Sequence, residues 1–425
     1  MRDHSSASSR LLWRVAFVAV ALLAMLPATS KASKQASPGL TPVVLFPAFH
    51  FTKLRVTVHN QTVDPACPRS GSFEDWFLVD QPSPFSQVCQ DELLTLRYDA
   101  NRHKPMRLRF SNQHGVKVEI IDEGRTESAP FYDGMYEALE AAGYTRNQDI
   151  RVAGYDSRLA PDAEGFLQRT KQLIEETYRD NGNRPVHLVG HSNGPIYAQY
   201  LLTNTSQAWK DRYLHGFTPI AGNFPGQGGV YPLFFTGLNV GTFTFPTTVE
   251  NAVSSARMYL SAPSTYLSSA DPRVFGDQET VIADASTGRA YTPAGYRALF
   301  EDAGLPWARD IADYYIGFVQ FVDPAHFPDV DVYAEKGSGL DTLVGLGLPD
   351  LTVGQLLGPD TQLFTRDGDI NQEDLTNDAV GAWNAMTCFH FSLTDNPGVD
   401  HFALPNDPGV ISRLITNAAR PRSQC

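Results

Sequence analysis

The sequence predicts an α/β protein in which a mainly parallel sheet carries helices on both faces. The first reason is the order of patterns between residues 131 and 201, where segments with helical spacing of apolar residues alternate with short apolar runs. This order is typical of a parallel sheet. The second reason is composition, since 425 residues of which 42% are apolar suffice for one large domain with insertions or for two ordinary domains.

Net charge narrows the range of partners. The formal charge of −13 and the isoelectric point near 5.3 argue against a nucleic-acid partner and against strong attraction to anionic membranes. No Cys/His pair has the spacing of metal ligands, so the sequence predicts no metal site and no cofactor.

The predicted elements begin with a buried apolar strand at residues 43–45. Alternating apolar and charged residues within 97–121 indicate half-exposed strands. The patterns then predict, in order, a helix over 131–142, a strand from 149, a helix over 163–179, a strand over 186–189, a helix ending near 213, a strand at 216–220, strands near 329–333, 362–365 and 386–393, and a helix over 410–418.

The motif with the clearest chemistry is Gly190-His191-Ser192-Asn193-Gly194, which follows the apolar run 186–189. Gly-x-Ser-x-Gly between a strand and a helix is typical of a nucleophile elbow. The turn is so tight that a side chain at either glycine would strike neighbouring backbone. Ser192 is therefore the predicted nucleophile, placed over the positive end of the following helix.

A serine needs a base to take its proton, and two loops in the last quarter of the chain supply candidates. Asp369 follows the predicted strand at 362–365, and His401 follows the strand at 386–393. Ser, then acid, then base is the chain order of an α/β-hydrolase fold. That fold also takes one oxyanion N–H from the loop after an early strand, here residues 47–50.

Other residues compete for these roles. Asp367 is the rival acid and Asp374 a more distant one, and His390 is the rival base, although it lies within a strand pattern. His191 is expected to support the turn, because a residue adjacent to the serine cannot usually aim at its Oγ. Residues 367–374 also resemble the second half of a calcium-binding loop, but Leu363 would stand at a ligand position and cannot bind calcium.

The N-terminal segment predicts export. Arginines precede an apolar run over 15–26, and Ser30-Lys31-Ala32 offers a cleavage site, so residues 1–32 are the expected signal peptide and 33–41 a tail. The apolar run is too short to span a bilayer of ~30 Å. No later stretch reaches the length of a membrane span, so we expect a mature chain without one, secreted or in a lysosome- or vacuole-like lumen.

The four cysteines invite a disulfide interpretation in an exported chain. Cys67 and Cys89 bracket an aromatic stretch that contains Trp76 and Phe77. A bridge between them would stabilise the chain by about 3 kcal/mol in the chain-entropy description. The stretch is either a stapled hairpin or an amphipathic flap with Trp76 exposed for lipid contact.

A change of composition divides the chain. Between 226 and 329 the content of Gly, Pro, Ser, Thr and aromatic residues rises and the α/β alternation fades. We interpret this region as a cap or lid inserted into the hydrolase core. Residues 42–225, including the flap 67–89, form the first part of that core, and 330–425 form the second.

Several separated motifs, in the same order, resemble the lecithin:cholesterol acyltransferase family, in the layout of its lysosomal phospholipase A2 branch. They span about residues 42–415 and comprise Pro42-Val43-Val44-Leu45-Phe46-Pro47, Cys67…Trp76…Cys89, Gly143-Tyr144-Thr145-Arg146, Tyr155-Asp156-x-Arg158, Gln207-Ala208-Trp209, Asp367-Gly368-Asp369 and Asp400-His401.

The resemblance implies a role for each part. Ser192 is then the nucleophile, Asp369 the acid and His401 the base. The oxyanion donors are the backbone N–H groups of Phe49 and Asn193. The flap closed by Cys67 and Cys89 presents Trp76 and Phe77 to lipid, and 226–329 is a mobile lid.

The sequence also departs from the family pattern. A second family disulfide has no counterpart near Val332 or Val380, and Cys388 with Cys425 offers a different bridge that pins the C-terminus. The remaining departures are Ala48 and Phe51 where glycine is usual, Phe49 where a small or acidic residue is usual, Asn193 where an apolar residue is usual, Ser157 where Trp is usual, and Asn371-Gln372 where Thr-Val is common.

Together these patterns predict an exported serine lipid acyl hydrolase or acyltransferase that acts on phospholipid or related esters at a membrane or lipoprotein-like surface. Two alternatives stay open at this point. One is a soluble esterase for small esters. The other is a lipid-binding protein with an inactive site, which the unusual Phe49 and Asn193 suggest.

Overall fold

The computed structural model describes residues 39–76, 83–101, 107–238, 245–319, 326–358, 361–385, 388–423 and 425. The predicted signal peptide, residues 1–32, lies outside the described residues, as does Phe77. Among the described residues, no helix combines the length and the apolar character needed to cross a membrane.

The strands are, in chain order, β1 Val43–Phe46, β2 Leu54–Val58, β3 Gly71–Asp75, β4 Arg97–Asn101, β5 Arg107–Ser111, β6 Val116–Ile120, β7 Ile150–Val152, β8 Val186–His191, β9 Leu214–Ile220, β10 Ile282–Asp284, β11 Arg289–Tyr291, β12 Val332–Ser338, β13 Leu340–Leu348, β14 Leu363–Gly368 and β15 Phe391–Pro397. The helices are α1 Gln87–Leu94, α2 Asp133–Ala141, α3 Phe166–Asp180, α4 Gly194–Thr203, α5 Gln207–Tyr213, α6 Leu233–Thr236, α7 Val249–Ser261, α8 Pro263–Leu267, α9 Pro272–Phe275, α10 Tyr296–Asp302, α11 Pro306–Tyr315, α12 Asp374–Ala379 and α13 Pro408–Ala418.

A six-stranded parallel sheet forms the centre, in the order β15-β12-β9-β8-β1-β7. Strands β1, β8 and β9 are buried along their whole length, which explains why they were visible in the sequence as nearly continuous apolar runs. Alternate residues of β1 face opposite sides: Val44 packs in the cluster with α3 and α4, and Val43 in the cluster with α2 and α13. Helices therefore cover both faces, and the predicted α/β-hydrolase fold class is confirmed.

A second sheet, in the order β11-β10-β13-β14, accompanies the insertion between β9 and β12. The insertion supplies α6 to α11 and the hairpin β10–β11, and β10 pairs in parallel with β13. The strand expected at 362–365 is β14, which pairs antiparallel with β13 and so belongs to this second sheet instead of the central one. The boundaries at 226 and 329, and the role of this region as a lid, stay predictions.

Two disulfides close local loops. Cys67 is bonded to Cys89 of α1, beside the three-stranded sheet β3-β2-β6. Cys388 is bonded to Cys425, so the end of the chain is tied to the segment that leads into β15. Disulfides of this kind persist in oxidising compartments.

Candidate active site

The turn between β8 and α4 has the geometry of a nucleophile elbow. Ser192 has a φ of +59°, a left-handed conformation that a non-glycine residue adopts rarely and mostly at functional sites. A Cβ on Gly194 would overlap the carbonyl oxygen of Phe46, and one on Gly190 would lie 2.9 Å from the nitrogen of Pro195. The Ser192 N–H donates to Ile220 O at 2.9 Å, which anchors the turn to the end of β9.

Asp369 and His401 lie in contact. The Nδ1 of His401 is 3.1 Å from Asp369 Oδ2, and the His401 main-chain N–H donates to Asp369 O at 2.9 Å. Both residues are buried. Asp369 Oδ1 accepts main-chain N–H groups of Asn371 and Gln372, and Oδ2 also accepts from Asn377 Nδ2. A carboxylate that accepts this many hydrogen bonds is held in one orientation, which suits it to fix the tautomer of His401.

The competing residues lie elsewhere. Asp367 is exposed on β14, and His390 is exposed with its ring tilted against that of Tyr333 at a centroid distance of 4.9 Å. Asp374 lies 3.9 Å from Lys336 Nζ. Residues 363–368 form a strand, so they do not form the first half of a calcium-binding loop.

A cavity of about 360 Å³ brings most of the sequence-predicted site together. Ser192, His401, Phe49, Asn193 and Trp76 all line it, and Asp369 lies behind His401. Among the hydrogen bonds of the described residues, none is donated by the main-chain N–H of Phe49 or Asn193. Their role as oxyanion donors stays a prediction.

Trp76 stands at the cavity but is only half-buried, and the Nζ of Lys53 lies 5.9 Å from the centroid of its ring. Phe49 stacks on His50 at a centroid distance of 4.4 Å. The aromatic flap residue therefore borders the candidate site directly. Its contact with lipid stays a prediction.

A buried chain of hydrogen bonds links the loop of Ala48, the elbow and the segment of His401. The Ala48 N–H donates to the Tyr132 hydroxyl at 2.8 Å, this hydroxyl lies 3.0 Å from His191 Nδ1, and His191 Nε2 lies 3.0 Å from the His401 carbonyl oxygen. Because a carbonyl only accepts, Nε2 carries the proton and Nδ1 accepts from Tyr132. Burial, and then the nearby His401, lower the pKa of His191 well below its usual value, so its ring is neutral.

The sequence indicated a supporting role for His191 but gave no sign of Tyr132. Tyr132 precedes α2, and its partners are 84 residues away at Ala48 and 59 residues away at His191. No motif or spacing connects positions so far apart in a single sequence. The structure adds Tyr132, which together with His191 ties the loop of Ala48 to the main chain at His401.

We expect Tyr132→Phe to lower kcat for ester hydrolysis about 10-fold with a smaller change in KM. The substitution removes one buried hydrogen-bond partner, which is worth about 1–1.5 kcal/mol, and frees the loop that precedes Phe49. Steady-state kinetics on a soluble ester measure both constants. Tyr136→Phe is the matched control, because that hydroxyl donates only to Ala129 O. Equal kinetic losses in the two variants would contradict a role for the hydrogen-bond chain.

Two buried glutamates meet beside the acid loop, where Glu373 Oε1 accepts the Gly228 N–H at 3.1 Å and Glu279 lies against the same glycine. Arg366 Nε is 3.2 Å from Glu279 Oε2. Burial, and then the proximity of Glu373, raise the pKa of Glu279 to about 8. Burial is also the largest cause that raises the pKa of Glu373 to about 7. The folded protein thus holds protons that the unfolded chain, with carboxyl pKa values near 4.5, releases.

We therefore expect the free energy of unfolding to fall as pH rises from about 4.5 to about 8. Glu279→Gln removes one ionisation, so it should stabilise the protein by about 1–3 kcal/mol at the upper end of that range and by less at the lower end. Urea unfolding at both ends measures the difference. Glu137→Gln, at an exposed position of α2, is the control. Parallel pH profiles for wild type and Glu279→Gln would refute the assignment.

The described residues contain one group with metal-ligand atoms in proximity, Asp64, Cys67 and Glu92, within 4.8 Å of one another. The sulfur of Cys67 is already bonded to Cys89. The group therefore offers two carboxylates and no thiolate.

Fold and site together place the chain in the α/β-hydrolase class. A search of solved structures matches it to a chain in the crystal structure of the Tle4-Tli4 complex, with a TM-score of 0.57, 13% sequence identity, and coverage of 89% of this chain and 98% of that one. At this identity the likeness shows the fold alone.

Sequence comparisons confirm the family resemblance. The family model for lecithin:cholesterol acyltransferase matches residues 98–275. Mouse and human proteins named lysosomal phospholipase A and acyltransferase are each 27% identical over 296 residues, which is 68% of this chain and 66% of theirs. The lecithin-cholesterol acyltransferase-like 1 of Oryza sativa subsp. japonica is 26% identical over 423 residues, 93% of this chain and 90% of its own. The chain thus spans just under two thirds of the mouse and human relatives.

Proposed function

We propose that this protein is an extracytoplasmic serine acyl hydrolase or acyltransferase that acts on phospholipids or related lipid esters. The observation that supports the proposal best is the hydrogen-bonded pair Asp369–His401 beside a cavity that also receives Ser192 from its elbow. Acid, base and nucleophile come from three different loops at the carboxyl ends of strands, as such sites require.

In the proposed reaction, His401 Nε2 takes the proton of Ser192 Oγ while that oxygen attacks the acyl carbon of the ester. Asp369 accepts the Nδ1–H of His401 and stabilises the imidazolium. The N–H groups of Phe49 and Asn193 bind the oxyanion, and loss of one such donor costs about 3–4 kcal/mol of transition-state stabilisation. Water or an alcohol then takes the acyl group from Ser192, which makes the protein a hydrolase or an acyltransferase.

Lipid esters are the substrate class that the relatives favour, since their names include phospholipase A and acyltransferase activities. The cavity supports this choice because Val230, Leu233, Met258 and Phe402 give it an apolar side and Trp76 stands at its edge. Two disulfides and the expected signal peptide support a location outside the cytoplasm.

A fluorophosphonate probe followed by product analysis tests the proposal. We expect stoichiometric labelling of the wild type and none of Ser192→Ala. Mass spectrometry of phosphatidylcholine vesicles incubated with the protein should show free fatty acid, and an alkyl ester when a fatty alcohol is added. A folded wild type that takes no label would leave the lipid-binding alternative. Hydrolysis of soluble esters without hydrolysis of the phosphatidylcholine in vesicles would favour the small-ester esterase.

A further inference from the structure

One wall of the cavity is polar and carries side-chain atoms that have no hydrogen-bond partner among the described residues. Asn193, Asn223, Gln227 and Thr265 line it, and each is less than 5% exposed. Within the described part of the chain, no partner reaches Asn193 Nδ2, Asn223 Oδ1, Gln227 Oε1 or Thr265 Oγ1. Buried polar groups are almost always hydrogen-bonded in folded proteins, so four unpaired atoms on one wall indicate a place where a ligand supplies the bonds.

These side chains surround the nucleophile because each comes from a segment bonded to the elbow. The Asn223 N–H donates to Ser192 O at 2.9 Å, and Asn193 Oδ1 accepts from Ser268 Oγ at 2.9 Å. The Gln227 N–H donates to Ser268 O at 3.0 Å, which joins that segment to the residue that follows α8, the helix that contains Thr265. The wall is therefore one connected structure around Ser192.

The chemistry of the wall fits hydroxyl groups. Asn193 Nδ2 donates, because its Oδ1 already accepts from Ser268, whereas the Asn223 and Gln227 oxygens accept and the Thr265 hydroxyl does both. A hydroxyl both donates and accepts, so several hydroxyls on one group satisfy such a mixed set. A phosphate or carboxylate offers acceptors alone and would face two acceptor oxygens.

The charges of the residues around the cavity also exclude an anion. Among the described residues that line the cavity there is no Lys or Arg, while Asp75 and Asp91 are present. Anion sites in proteins ordinarily use Arg or Lys. The group that occupies this wall is therefore not an anion.

We infer that this wall binds the acyl-accepting alcohol and selects a neutral polyhydroxy acceptor, such as glycerol or a sugar. The inference rests on the proposed acyl-enzyme reaction. In the transfer step the acceptor hydroxyl oxygen bonds to the acyl carbon, and its proton passes to His401 Nε2. The bond from Ser192 Oγ to the acyl carbon breaks, and Ser192 Oγ takes the proton from His401.

The inference is tested by comparing how well different alcohols take the acyl group from the same acyl-enzyme. The protein is given p-nitrophenyl butyrate with equal concentrations of glycerol, methyl glucoside or 1-propanol, which has the carbon skeleton of glycerol with a single hydroxyl. Nitrophenol release measures acyl-enzyme formation, and mass spectrometry gives the ratio of new ester to free acid. We expect this ratio for glycerol or for methyl glucoside to exceed that for 1-propanol about tenfold, and the better of the two identifies the source of the hydroxyls.

Gln227→Leu removes the side-chain amide and Thr265→Val removes the hydroxyl, each at similar volume, so each should lower the ester-to-acid ratio for the preferred polyol about tenfold. Thr177→Val is the matched control, because Thr177 is a buried threonine of α3 whose hydroxyl donates to Leu173 O, away from the cavity; its ratio should not change. Equal transfer to 1-propanol, or an unchanged ratio in both wall variants, overturns the inference. Absence of nitrophenol release, with Ser192 unlabelled, instead overturns the proposed function.

Discussion

Replacing Asp369 with asparagine is expected to lower kcat about 10³–10⁴-fold with the fold intact. Asp369 Oδ2 accepts from His401 Nδ1, and an amide N–H at that place would turn the imidazole to the wrong tautomer. Asparagine keeps an oxygen for the main-chain N–H groups of Asn371 and Gln372. Steady-state hydrolysis of a soluble ester measures the loss, and circular dichroism checks the fold.

Asp367→Asn and Asp374→Asn are the matched controls for this prediction. Asp367 is exposed on β14, and Asp374 is the first residue of α12 beside Lys336. Neither lines the cavity that holds Ser192, so kcat should stay within about twofold of wild type, the change expected of surface substitutions. If Asp367→Asn reproduces the loss, the acid has been assigned to the wrong residue.

Gly194→Ala is expected to destabilise the protein by about 3–5 kcal/mol and to abolish turnover. The added Cβ would overlap the carbonyl oxygen of Phe46. Phe46 is the last residue of β1 and leads into the loop that contains Phe49. Separation of α4 from β1 would therefore displace Ser192 and the oxyanion donors together. Urea unfolding measures the stability, and fluorophosphonate labelling reports the remaining reactivity of Ser192.

Gly381→Ala is the control for a glycine in open space, since no heavy atom lies within 4 Å of a Cβ built there. Its free energy of unfolding should change by about 0.5 kcal/mol or less. Gly190→Ala should be intermediate, because its Cβ would be 2.9 Å from Pro195 N. An unfolding free energy for Gly194→Ala equal to that of Gly381→Ala would show that the elbow has room to relax.

Local sequence patterns predicted the central sheet well because the features that define its strands and turns lie within short stretches of sequence. A parallel strand buried on both faces, such as β8, is apolar along its length, and the glycines at 190 and 194 are required by contacts inside one turn. The chain order of nucleophile, acid and base then selected Asp369 and His401, which the structure places in hydrogen-bond contact. Their catalytic roles remain to be tested.

Partner choice over long distances could not be predicted in the same way. The pairing of β10 with β13 joins positions more than 60 residues apart. The sequence of β14 likewise does not indicate which sheet the strand joins. Tyr132 is an ordinary aromatic residue until folding places its hydroxyl between Ala48 and His191. The polar wall was visible only at Asn193, because its other members come from separate loops that carry no motif.

The attachment of Asp369 to the second sheet limits how the chain can be shortened. β14 ends at Gly368, and Asp369 follows at once, while β13, the partner of β14, is held by β10 from the insertion. An engineer who deleted the insertion to obtain a minimal hydrolase would remove the support of the carboxylate along with the cavity-lining residues that the insertion supplies. For the same reason, recombination with a relative should exchange residues 226–372 as one block, so that the insertion and the acid loop stay together.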